Sequence, residues 1–429
     1  MNDNQFLDFE DQKMENNTCE IKRDCCEIER DCCGVEKCSC GLNDVCSIDV
    51  CSIDGTCSID GTCGLEKNSN EMNYFCCGLD GVCPIDKNQE ISSTDQSSRN
   101  SKIENKTILI IGGTGSLGNK LTTHLGKNKL NKIVVFSRDE NKQWSMKKKY
   151  QNKNEEYDIS FMIGDARNEK SILRVMQTYH PDYVIFAAAL KHIDICENNI
   201  DECVKTNTLG ISNVINVINM MDRKPESVLY ISTDKACNPI TSYGCSKSLG
   251  ERLVRNESKR NTSVNFVICR YGNICASRGS LLEVYRNIAN DPNQKNFLVT
   301  DENMTRFFMT LLDAIELIQA ALLYGNSGEI WIKVAPSLKI MDVAKYYATK
   351  YQKGIKMVGL RCEEKMNEDL YSDYEAPYIF NRSCNGSLFH VIGRKVLPAD
   401  QISYTKGYDS SHYLTGDEAK VLIEYFENL

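Results

Sequence analysis

The sequence has no long apolar run and no excess of positive charge. A membrane-spanning helix needs roughly 18 to 20 apolar residues in succession, and no stretch of the chain approaches that length. The first residues, MNDNQFLDFEDQK, are acidic and do not contain the apolar core of a secretory signal. The formal net charge is −8, whereas a nucleic-acid-binding protein normally carries a basic face. We therefore expect a cytoplasmic protein that has neither a membrane nor a nucleic acid as its partner.

Cysteine is scarce in most of the chain and concentrated at its start. Of 22 cysteines, fourteen precede residue 100, in repeats such as CSIDGTCSIDGTC that offer few aliphatic residues for a core. We predict that residues 1–102 form a disordered, Cys-rich, low-complexity tail. The alternative is a thiolate metal site or a redox-sensitive clasp, but the tail has no histidine and its repeats do not have the C-x2-C spacing of zinc sites. We expect no metal, and we expect the later cysteines to be core residues in a reducing compartment.

The predicted folded part begins at residue 103. The run KTILIIGGTGSLGNKLTTHL places a β-branched strand before a glycine-rich turn and then leucines at helical spacing. Gly112, Gly115 and Gly118 have G-x-x-G-x-x-G spacing, which lets backbone N–H groups approach a pyrophosphate at a helix N-terminus. Glycine turns also occur for structural reasons alone, but this one lies between a strand and a helix, and a second strand follows. The pattern predicts a dinucleotide-binding fold.

The second strand, KIVVFSRDE, ends where such a fold selects its cofactor. An acidic residue there binds the ribose 2′-hydroxyl of NAD, and a basic one accommodates the 2′-phosphate of NADP. Because Ser137 and Arg138 end the strand and Lys142 follows, we favour NADP over NAD; the alternative is that Arg138 is only a solvated loop charge. Further on, Asp165 is a candidate for the adenine edge, and small side chains around Ala187 leave room for the cofactor. Strands alternating with helices predict an α/β fold with a Rossmann-type, doubly wound parallel sheet.

A tyrosine and a lysine one helical turn apart form a candidate hydride-transfer site. Tyr243 and Lys247, in YGCSK, share a helix face, and an adjacent ammonium would stabilise the phenolate of a side chain whose free pKa is about 10. Lys247 is also placed to hold the nicotinamide ribose. The Y-x-x-x-K pattern is common by chance. Its position after a strand of a nucleotide-binding fold, preceded by Ser232 and Thr233, favours a catalytic role.

Together these stretches resemble the extended short-chain dehydrogenase/reductase superfamily. More narrowly, the chain is similar to the C5-inverting UDP-N-acetylglucosamine (UDP-GlcNAc) 4,6-dehydratases of the polysaccharide biosynthesis protein family. The resemblance covers about residues 105–370 and rests on GGTGSLG, SRDE, AAALKH, KTNTLGISNVI, STDKACNP, YGCSK, RYGNICASRGS, MTRFFMTL and EEKMNE. The chain departs from the family at Ile111, which replaces a threonine, and in the loop RCEEK, where the family has RPGEK.

The resemblance implies the residues of each site. The implied catalytic residues are Thr233, Asp234, Lys235, Tyr243 and Lys247. The implied cofactor-binding residues are Gly112, Thr114, Gly115, Ser116, Leu117, Gly118, Ser137, Arg138, Lys142, Asp165, Ala166, Ala187, Tyr243 and Lys247. The implied substrate-binding residues are Lys191, Asn273, Arg278, Arg306, Arg361 and Glu364, and paired arginines would suit the diphosphate of UDP. The resemblance further implies a homo-oligomer, either a dimer or a hexamer.

The implied reaction is NADP-dependent dehydration of UDP-GlcNAc to a 4-keto-6-deoxy sugar nucleotide. Tyr243, assisted by Thr233, takes the O4 proton, and the hydride removed from C4 returns to C6. We expect Asp234 to protonate the departing 6-hydroxyl and Lys235, with a pKa depressed by burial beside the positive nicotinamide ring of the cofactor, to handle the C5 proton. Because C5-retaining enzymes of this superfamily carry Asp-Glu after the threonine, the lysine predicts inversion at C5 and a product of L-arabino configuration.

Three alternatives stay open. A C5-retaining dehydratase would use the same fold. A UDP-hexose 4-epimerase would use the same Tyr/Lys pair but needs no acid–base pair at C5 and C6, and a non-catalytic NADPH-sensing module would need neither. Lys235 itself has the alternative role of a simple ion-pair partner of Asp234. We predict an NADP-binding domain over residues 103–273 and a substrate-binding lobe over residues 274–429, some strands of which return to the first domain.

Overall fold

The structure is a computed structural model, and it describes residues 64–68, 71–75, 89–90, 103–127, 130–153, 156–275, 277–384, 386–398 and 404–429. Most of the predicted tail, with its cysteine repeats, lies outside the described residues. Within the tail, three short strands are described: β1 (Gly64–Asn68), β2 (Glu71–Phe75) and β3 (Gln89–Glu90). β1 and β2 form an antiparallel hairpin, and β3 pairs with a strand of the main sheet. The composition of the tail did not indicate these strands.

After residue 103, strands and helices alternate along the described chain. The strands are β4 (Thr107–Ile111), β5 (Lys132–Ser137), β6 (Asp158–Ile163), β7 (Tyr183–Phe186), β8 (Ser227–Ile231), β9 (Asn265–Cys269), β10 (Asn273–Ile274), β11 (Asn296–Val299), β12 (Thr305–Met309), β13 (Ile330–Lys333), β14 (Ser337–Lys339), β15 (Gly354–Met357), β16 (Asp369–Tyr371), β17 (Ile379–Cys384), β18 (Ser387–Ile392) and β19 (Tyr408–Asp409). The helices are α1 (Ser116–Leu125), α2 (Glu140–Tyr150), α3 (Glu169–Tyr179), α4 (Ile193–Asn198), α5 (Ile200–Val204), α6 (Gly210–Met220), α7 (Ser242–Arg260), α8 (Leu281–Asn290), α9 (Leu311–Tyr324), α10 (Ile340–Tyr351) and α11 (Gly416–Glu427). A π-helical turn, Lys205–Leu209, connects α5 to α6.

A ten-stranded sheet organises the described part of the chain, in the order β3-β17-β18-β13-β9-β8-β7-β4-β5-β6. The strands from β13 to β6 are parallel, and β18 runs antiparallel to both of its neighbours. The run β6-β5-β4-β7-β8-β9 has the doubly wound order, in which the direction of winding reverses between β4 and β7. The predicted α/β fold with a Rossmann-type parallel sheet is confirmed.

The parallel strands are apolar along their whole length because helices cover both faces of the sheet. All residues of β8, SVLYI, are buried. α1 connects β4 to β5, toward one edge of the sheet, and α6 connects β7 to β8, toward the other edge. Because such crossovers are right-handed, the two helices lie on opposite faces of the sheet. Leu121 and Leu125 of α1, and Val214 and Ile218 of α6, are among the buried side chains that these helices contribute to the main core.

A second, smaller core lies in the C-terminal part of the chain. Its centre is a triangle of aromatic rings, Tyr285 of α8, Phe297 of β11 and Tyr347 of α10, whose centroids are 5.2 to 5.8 Å apart. β13, β17 and β18 come from the same part of the chain but belong to the large sheet. This part therefore contributes to both cores. Every helix within the described residues is too short or too polar to cross a membrane.

Candidate active site

The glycine turn lies at the switch point of the sheet, between β4 and α1. Gly112 has a φ of +86°, and a Cβ there would lie 2.6 Å from the backbone nitrogen of Ala188, just beyond β7. A Cβ on Gly118 would lie 2.5 Å from the Cα of Gly113. α1 begins at Ser116, and no side chain within the described residues caps it, which leaves the N–H groups of its first turn available to an anion. The turn therefore fits the pyrophosphate of a dinucleotide.

The end of β5 carries the residues predicted to meet a 2′-phosphate. Ser137 is buried, and its Oγ accepts a hydrogen bond from Nε2 of Gln143 at 3.1 Å, whereas Arg138 is exposed. Lys142 Nζ lies 2.6 Å from Oδ2 of Asp139, and the same carboxylate caps α2 by accepting a hydrogen bond from the backbone N–H of Lys142 at 2.9 Å. The carboxylate of Asp139 is thus bound by Lys142 at the start of α2, and the neighbouring Arg138 is exposed to solvent.

Asp165, predicted at the adenine edge, forms an ion pair with Arg167. The guanidinium donates to Oδ2 of Asp165 from Nε at 2.9 Å and from a terminal nitrogen at 2.6 Å. Burial by itself raises the pKa of Asp165, but the hydrogen bonds from Arg167 outweigh burial and lower it. Of the other predicted cofactor residues, Ala166 is buried, and Leu117 and Ala187 are partly buried against the main core. Their contacts to a cofactor stay predictions.

The predicted catalytic residues that follow β8 form one buried hydrogen-bonded group. Thr233 Oγ1 donates to Oδ1 of Asp234 at 2.8 Å, and Nζ of Lys235 lies 3.2 Å from the same oxygen. Lys235 Nζ also donates to Oδ1 of Asn273 at 3.3 Å. The hydroxyl of Tyr243 forms a hydrogen bond with Thr233. Thr233 therefore connects the tyrosine to the Asp-Lys pair.

A carboxylate that the sequence did not single out faces Lys235 from the C-terminal part of the chain. Oε1 of Glu368 lies 3.1 Å from Nζ of Lys235 and 3.6 Å from Nε of Arg306, and the residue is only 2% exposed. Its one signal in the sequence is its place at the end of the matching stretch EEKMNE. Lys235 is thus held between two carboxylates, one from Asp234 and one from Glu368.

The charge state of Lys235 differs from the expectation. Burial favours the neutral amine, but the carboxylates of Asp234 and Glu368 outweigh both burial and the nearby guanidinium of Arg306, and they raise the pKa of Lys235. In the chain without cofactor, the shift is therefore opposite to the one expected beside the nicotinamide ring. Lys235 is an ammonium at neutral pH, and the pairing with Asp234 that was weighed as its alternative role is present.

Tyr243 and Lys247 share one face of α7, as predicted, but they do not interact as predicted. Burial raises the pKa of Tyr243, and the hydrogen bond with Thr233 lowers it by a smaller amount. Lys247 Nζ lies 4.1 Å from the ring centroid of Tyr230. Burial lowers the pKa of Lys247 to about 7, and the nearby carboxylate of Glu251 only partly offsets this shift. The expected stabilisation of the phenolate by Lys247 is therefore wrong for this structure, because burial dominates both groups and the amine lies over Tyr230.

The π-helical turn between α5 and α6 fixes the helix that carries Tyr243. Asn207 in this turn exchanges two hydrogen bonds with the backbone of Leu190, at 2.8 and 2.9 Å, and donates to Oγ of Ser246 at 3.0 Å. Ser246 Oγ in turn donates to the carbonyl oxygen of Tyr243 at 2.7 Å. The backbone carbonyl oxygen of Asn207 accepts a hydrogen bond from the hydroxyl of Tyr230 at 3.1 Å. Such irregular turns are frequent at functional sites, and the sequence did not indicate this one.

A buried ion-pair network contacts the turn at residues 232–235, which carries the predicted catalytic residues. Arg270 is 2% exposed and donates to both oxygens of Glu251, at 3.0 and 2.6 Å, and to both oxygens of Glu375, at 3.0 and 2.9 Å. Ser232, next to Thr233, donates to Oε1 of Glu251 at 2.5 Å. Burial favours the neutral acid of Glu375, but Arg270 outweighs it and lowers the pKa of Glu375 to about 2. The network connects the turn at residues 232–235 to β9, α7 and the C-terminal part.

The structure divides the predicted substrate residues into two groups. Arg306 and Glu364 line a cavity together with Lys235 and Glu368, whereas Arg361 is exposed and its backbone N–H donates to Glu364 at 3.3 Å. Asn273 contacts Lys235, as described above, and so belongs to the same group. These residues surround Lys235.

Arg278 and Lys191 form the second group, at the glycine turn. Arg278 donates from its guanidinium to the carbonyl oxygen of Thr114 at 2.7 Å and from its backbone N–H to Oγ of Ser116 at 3.2 Å. Lys191 Nζ donates to the carbonyl oxygen of Arg278 at 2.7 Å and to Oγ of Ser277 at 3.4 Å. The structure therefore does not bring Arg278 next to Arg306.

The described cysteines are mostly core residues, as expected. Cys196, Cys203, Cys237, Cys269, Cys275 and Cys384 are buried, whereas Cys245 and Cys362 are exposed, contrary to the expectation, because they lie on the outer face of α7 and in an exposed loop. Cys196 and Cys203 pack against Tyr243. Among the described residues, no group of three or more metal-binding side chains is close enough together to hold an ion.

The fold and this site define a class of protein. A glycine turn at the switch point of a doubly wound sheet, next to a Tyr-x-x-x-Lys helix and a buried threonine, is the arrangement of the extended short-chain dehydrogenase/reductases. The sequence profile of the polysaccharide biosynthesis protein family matches residues 108–382, and the chain belongs to this family.

Known relatives agree on the family and differ in their reactions. The UDP-N-acetylglucosamine 4,6-dehydratase (inverting) of Campylobacter jejuni is 37% identical over 270 residues, which are 62% of this chain and 78% of the relative. A UDP-glucose 4-epimerase of Rickettsia rickettsii is 37% identical over 278 residues, 63% of this chain and 79% of the relative. The X-ray structure of Pen from Bacillus thuringiensis is 30% identical, with a TM-score of 0.67, and the match covers 75% of this chain and 99% of Pen. These matches confirm the predicted resemblance and the prediction that the chain is an enzyme.

Burial of the Lys247 ammonium should destabilise the chain at neutral pH. The pKa of Lys247 is about 7 in the folded chain and 10.5 in the unfolded chain. Its burial therefore lowers the free energy of unfolding by the full amount below pH 7, and this loss of stability disappears as the pH rises to 10.5. Lys247→Met in the chain without cofactor should therefore raise the free energy of unfolding by up to about 5 kcal/mol near pH 6 and by less than about 1 kcal/mol near pH 10. Urea unfolding at both pH values measures this difference.

The control variant is Lys259→Met, an exposed position of the same helix. It should leave the free energy of unfolding almost unchanged at either pH. A Lys247→Met gain that is the same near pH 6 and near pH 10 would show that Lys247 is not a buried ammonium.

Proposed function

We propose that the chain dehydrates UDP-GlcNAc to the 4-keto-6-deoxy sugar nucleotide with inversion at C5, and that it uses NADP. The observation that carries this proposal is the buried Asp234–Lys235 pair, connected through Thr233 to the hydroxyl of Tyr243. Oxidation of a sugar hydroxyl needs only the tyrosine and its lysine. Elimination of water from C5 and C6 needs a further acid and base, which this pair supplies.

The first step is removal of hydrogen from C4 of the sugar. Tyr243 is a phenol, so it takes the O4 proton as it passes its own proton through the hydroxyl of Thr233 to Oδ1 of Asp234. The glycine turn at Gly112 and the uncapped start of α1 fit the pyrophosphate of the dinucleotide, and Lys247 lies one turn after Tyr243, where the nicotinamide ribose would meet it. When bound, NADP would accept the C4 hydrogen as hydride and return it to C6.

The second step is the loss of water, which the new 4-ketone makes feasible by acidifying the C5 proton. Asp234, protonated through Thr233, gives a proton to the departing 6-hydroxyl and takes the C5 proton; its Oδ2 is buried and has no hydrogen-bond partner among the described residues. Lys235 is an ammonium and acts as an acid, giving a proton to C5 from the other face. Two protons leave the sugar, from O4 and C5, and two enter it, at O6 and C5; Asp234, left protonated, returns its proton to Lys235, whose nitrogen lies 3.2 Å from Oδ1, so the side chains end as they began.

The competing function is 4-epimerisation of a UDP-hexose, because relatives with that name are as similar to the chain as the dehydratases. An epimerase returns hydride to C4 and leaves C5 and C6 intact. That reaction does not require an Asp-Lys pair with a second carboxylate beside the lysine. A C5-retaining dehydratase would need a carboxylate in place of Lys235. The homo-oligomeric state and the cytoplasmic location stay predictions.

The reaction is tested by incubating the full chain with UDP-GlcNAc and NADP+ and identifying the product by proton NMR. A 4-keto-6-deoxy product is expected, with no net change in the absorbance of the cofactor. Tyr243→Phe should lower the rate by roughly a hundredfold or more, because a positioned acid–base group is lost. A product epimerised at C4 would replace our proposal with the epimerase, and complete recovery of the substrate would refute both.

Arg138 should select NADP over NAD. It is exposed at the end of β5, where the 2′-phosphate would lie, and the neighbouring Asp139 is engaged by Lys142. Arg138→Ala should weaken NADP binding by about 1.5–3 kcal/mol, the value of a hydrogen bond to a charged group, and should leave NAD binding almost unchanged. Titration calorimetry with both cofactors measures the two effects.

Arg223→Ala is the matched control for Arg138→Ala. Arg223 is also exposed, but it pairs with Asp182, which precedes β7 at the opposite end of the sheet. It should alter neither affinity. Equal losses of NADP and NAD affinity in Arg138→Ala would mean that Arg138 is only a surface charge.

A further inference from the structure

Glu368 is a buried charged residue to which the implied reaction assigns no role. It lies between β15 and β16, in the C-terminal part of the chain, and its Oε1 is 3.1 Å from the Lys235 nitrogen. Its other oxygen, Oε2, is buried without a hydrogen-bond partner among the described residues. A carboxylate in such surroundings is costly unless a cation offsets it, and Lys235 is the nearest cation.

The backbone of Glu368 is fixed on both sides of its peptide unit. Its N–H donates to Oγ of Ser410 at 2.9 Å, and its carbonyl oxygen accepts from the N–H of Ser410 at 2.9 Å. Ser410 is fully buried, and its Oγ is 2.7 Å from Oγ1 of Thr305 at the start of β12. The Glu368 side chain therefore approaches Lys235 from a rigid support.

The charged groups around Lys235 come from three places in the fold. Asp234 is on the same turn, Glu368 faces it from the C-terminal part, and Arg306 of β12 lies beyond Glu368, 3.6 Å from the shared oxygen. Glu363, Glu364 and Lys365 also line the cavity, and Lys365 is paired with Asp369 at 2.7 Å. Two carboxylates contact the Lys235 nitrogen directly, so the net local field favours the ammonium.

We propose that Glu368 is a positioning residue that holds the Lys235 ammonium where it gives its proton to C5 of the sugar. This inference rests on the proposed dehydration. Asp234 alone cannot perform both tasks, because a carboxylate that exchanges protons with the sugar loses its charge during the reaction and releases its hold on Lys235. Glu368 keeps a negative charge beside Lys235 at that moment. It acts through Lys235 and does not itself have to touch the substrate.

The pairing is tested without substrate by NMR of the full chain carrying lysine labelled with 13C at the ε carbon. The signal of Lys235 is assigned by its loss in Lys235→Arg. In Glu368→Gln the signal should titrate at a pH lower by about one unit or more than in the wild type, because a buried counter-charge has been removed. An unchanged titration of Lys235 in this variant would overturn the inference.

Glu316→Gln is the matched control, because Lys333 is also held between two carboxylates, at 2.6 Å from Asp313 and 2.6 Å from Glu316. It should shift the titration of Lys333 and leave that of Lys235 in place. If Glu368→Gln does not fold, Glu368→Asp replaces it. Aspartate keeps the negative charge, and its side chain, shorter by one methylene, places the carboxylate farther from Lys235. That variant should keep a raised Lys235 titration and lower kcat, and a wild-type kcat would overturn the inference.

Turnover of UDP-GlcNAc separates this inference from the proposed function. Glu368→Gln should lower kcat by about tenfold or more with little change in KM, and the alkaline limb of its pH profile should move to lower pH with the Lys235 titration. Absence of product from the wild type would refute the proposed dehydration, whatever the NMR shows. Product from the wild type combined with an unaltered pH profile in Glu368→Gln would refute only the role of Glu368.

Discussion

The arrangement of the active site depends on one buried ammonium held between two carboxylates. Lys235 is surrounded by protein, and in that environment a lone amine would lose its proton. Asp234 and Glu368 prevent this, and they raise the pKa of Lys235 instead. Because one carboxylate follows β8 and the other comes from the C-terminal part, the buried Lys235 has both of its counter-charges only when both parts of the chain are folded together. The fold thus sets the chemistry of the lysine, whose sequence neighbours supply only half of its environment.

The surrounding fold holds these groups to within a hydrogen bond of one another. The buried pairing of Arg270 with Glu251 and Glu375 holds the chain next to the turn at residues 232–235. Asn207, in its π-helical turn, anchors the start of α7. Both networks are buried and saturated with hydrogen bonds, so removal of one partner would leave unpaired charge or polar groups in the core.

The sequence predicts those parts of the protein that short stretches specify. The strand, glycine turn and helix around Gly112 are encoded locally, and so is the spacing of Tyr243 and Lys247. What it does not predict depends on distant contacts. Glu368 meets Lys235 only through the fold, Arg278 meets the glycine turn rather than Arg306, and the pKa directions of Lys235 and Tyr243 follow from burial and partners that no local pattern contains. The same limit explains why the reaction is not evident from the Tyr/Lys pair, which dehydratases and epimerases share.

The central claim is that an ammonium at position 235 protonates C5 from the face opposite to the one that lost its proton. It is tested most directly by running the reaction of the full chain with UDP-GlcNAc in D2O. We predict that the product carries deuterium at C5 and that its proton couplings report the L-arabino configuration. A product of D-xylo configuration would contradict the account, because the proton would then have returned to the face it left, as it does when a carboxylate performs both transfers.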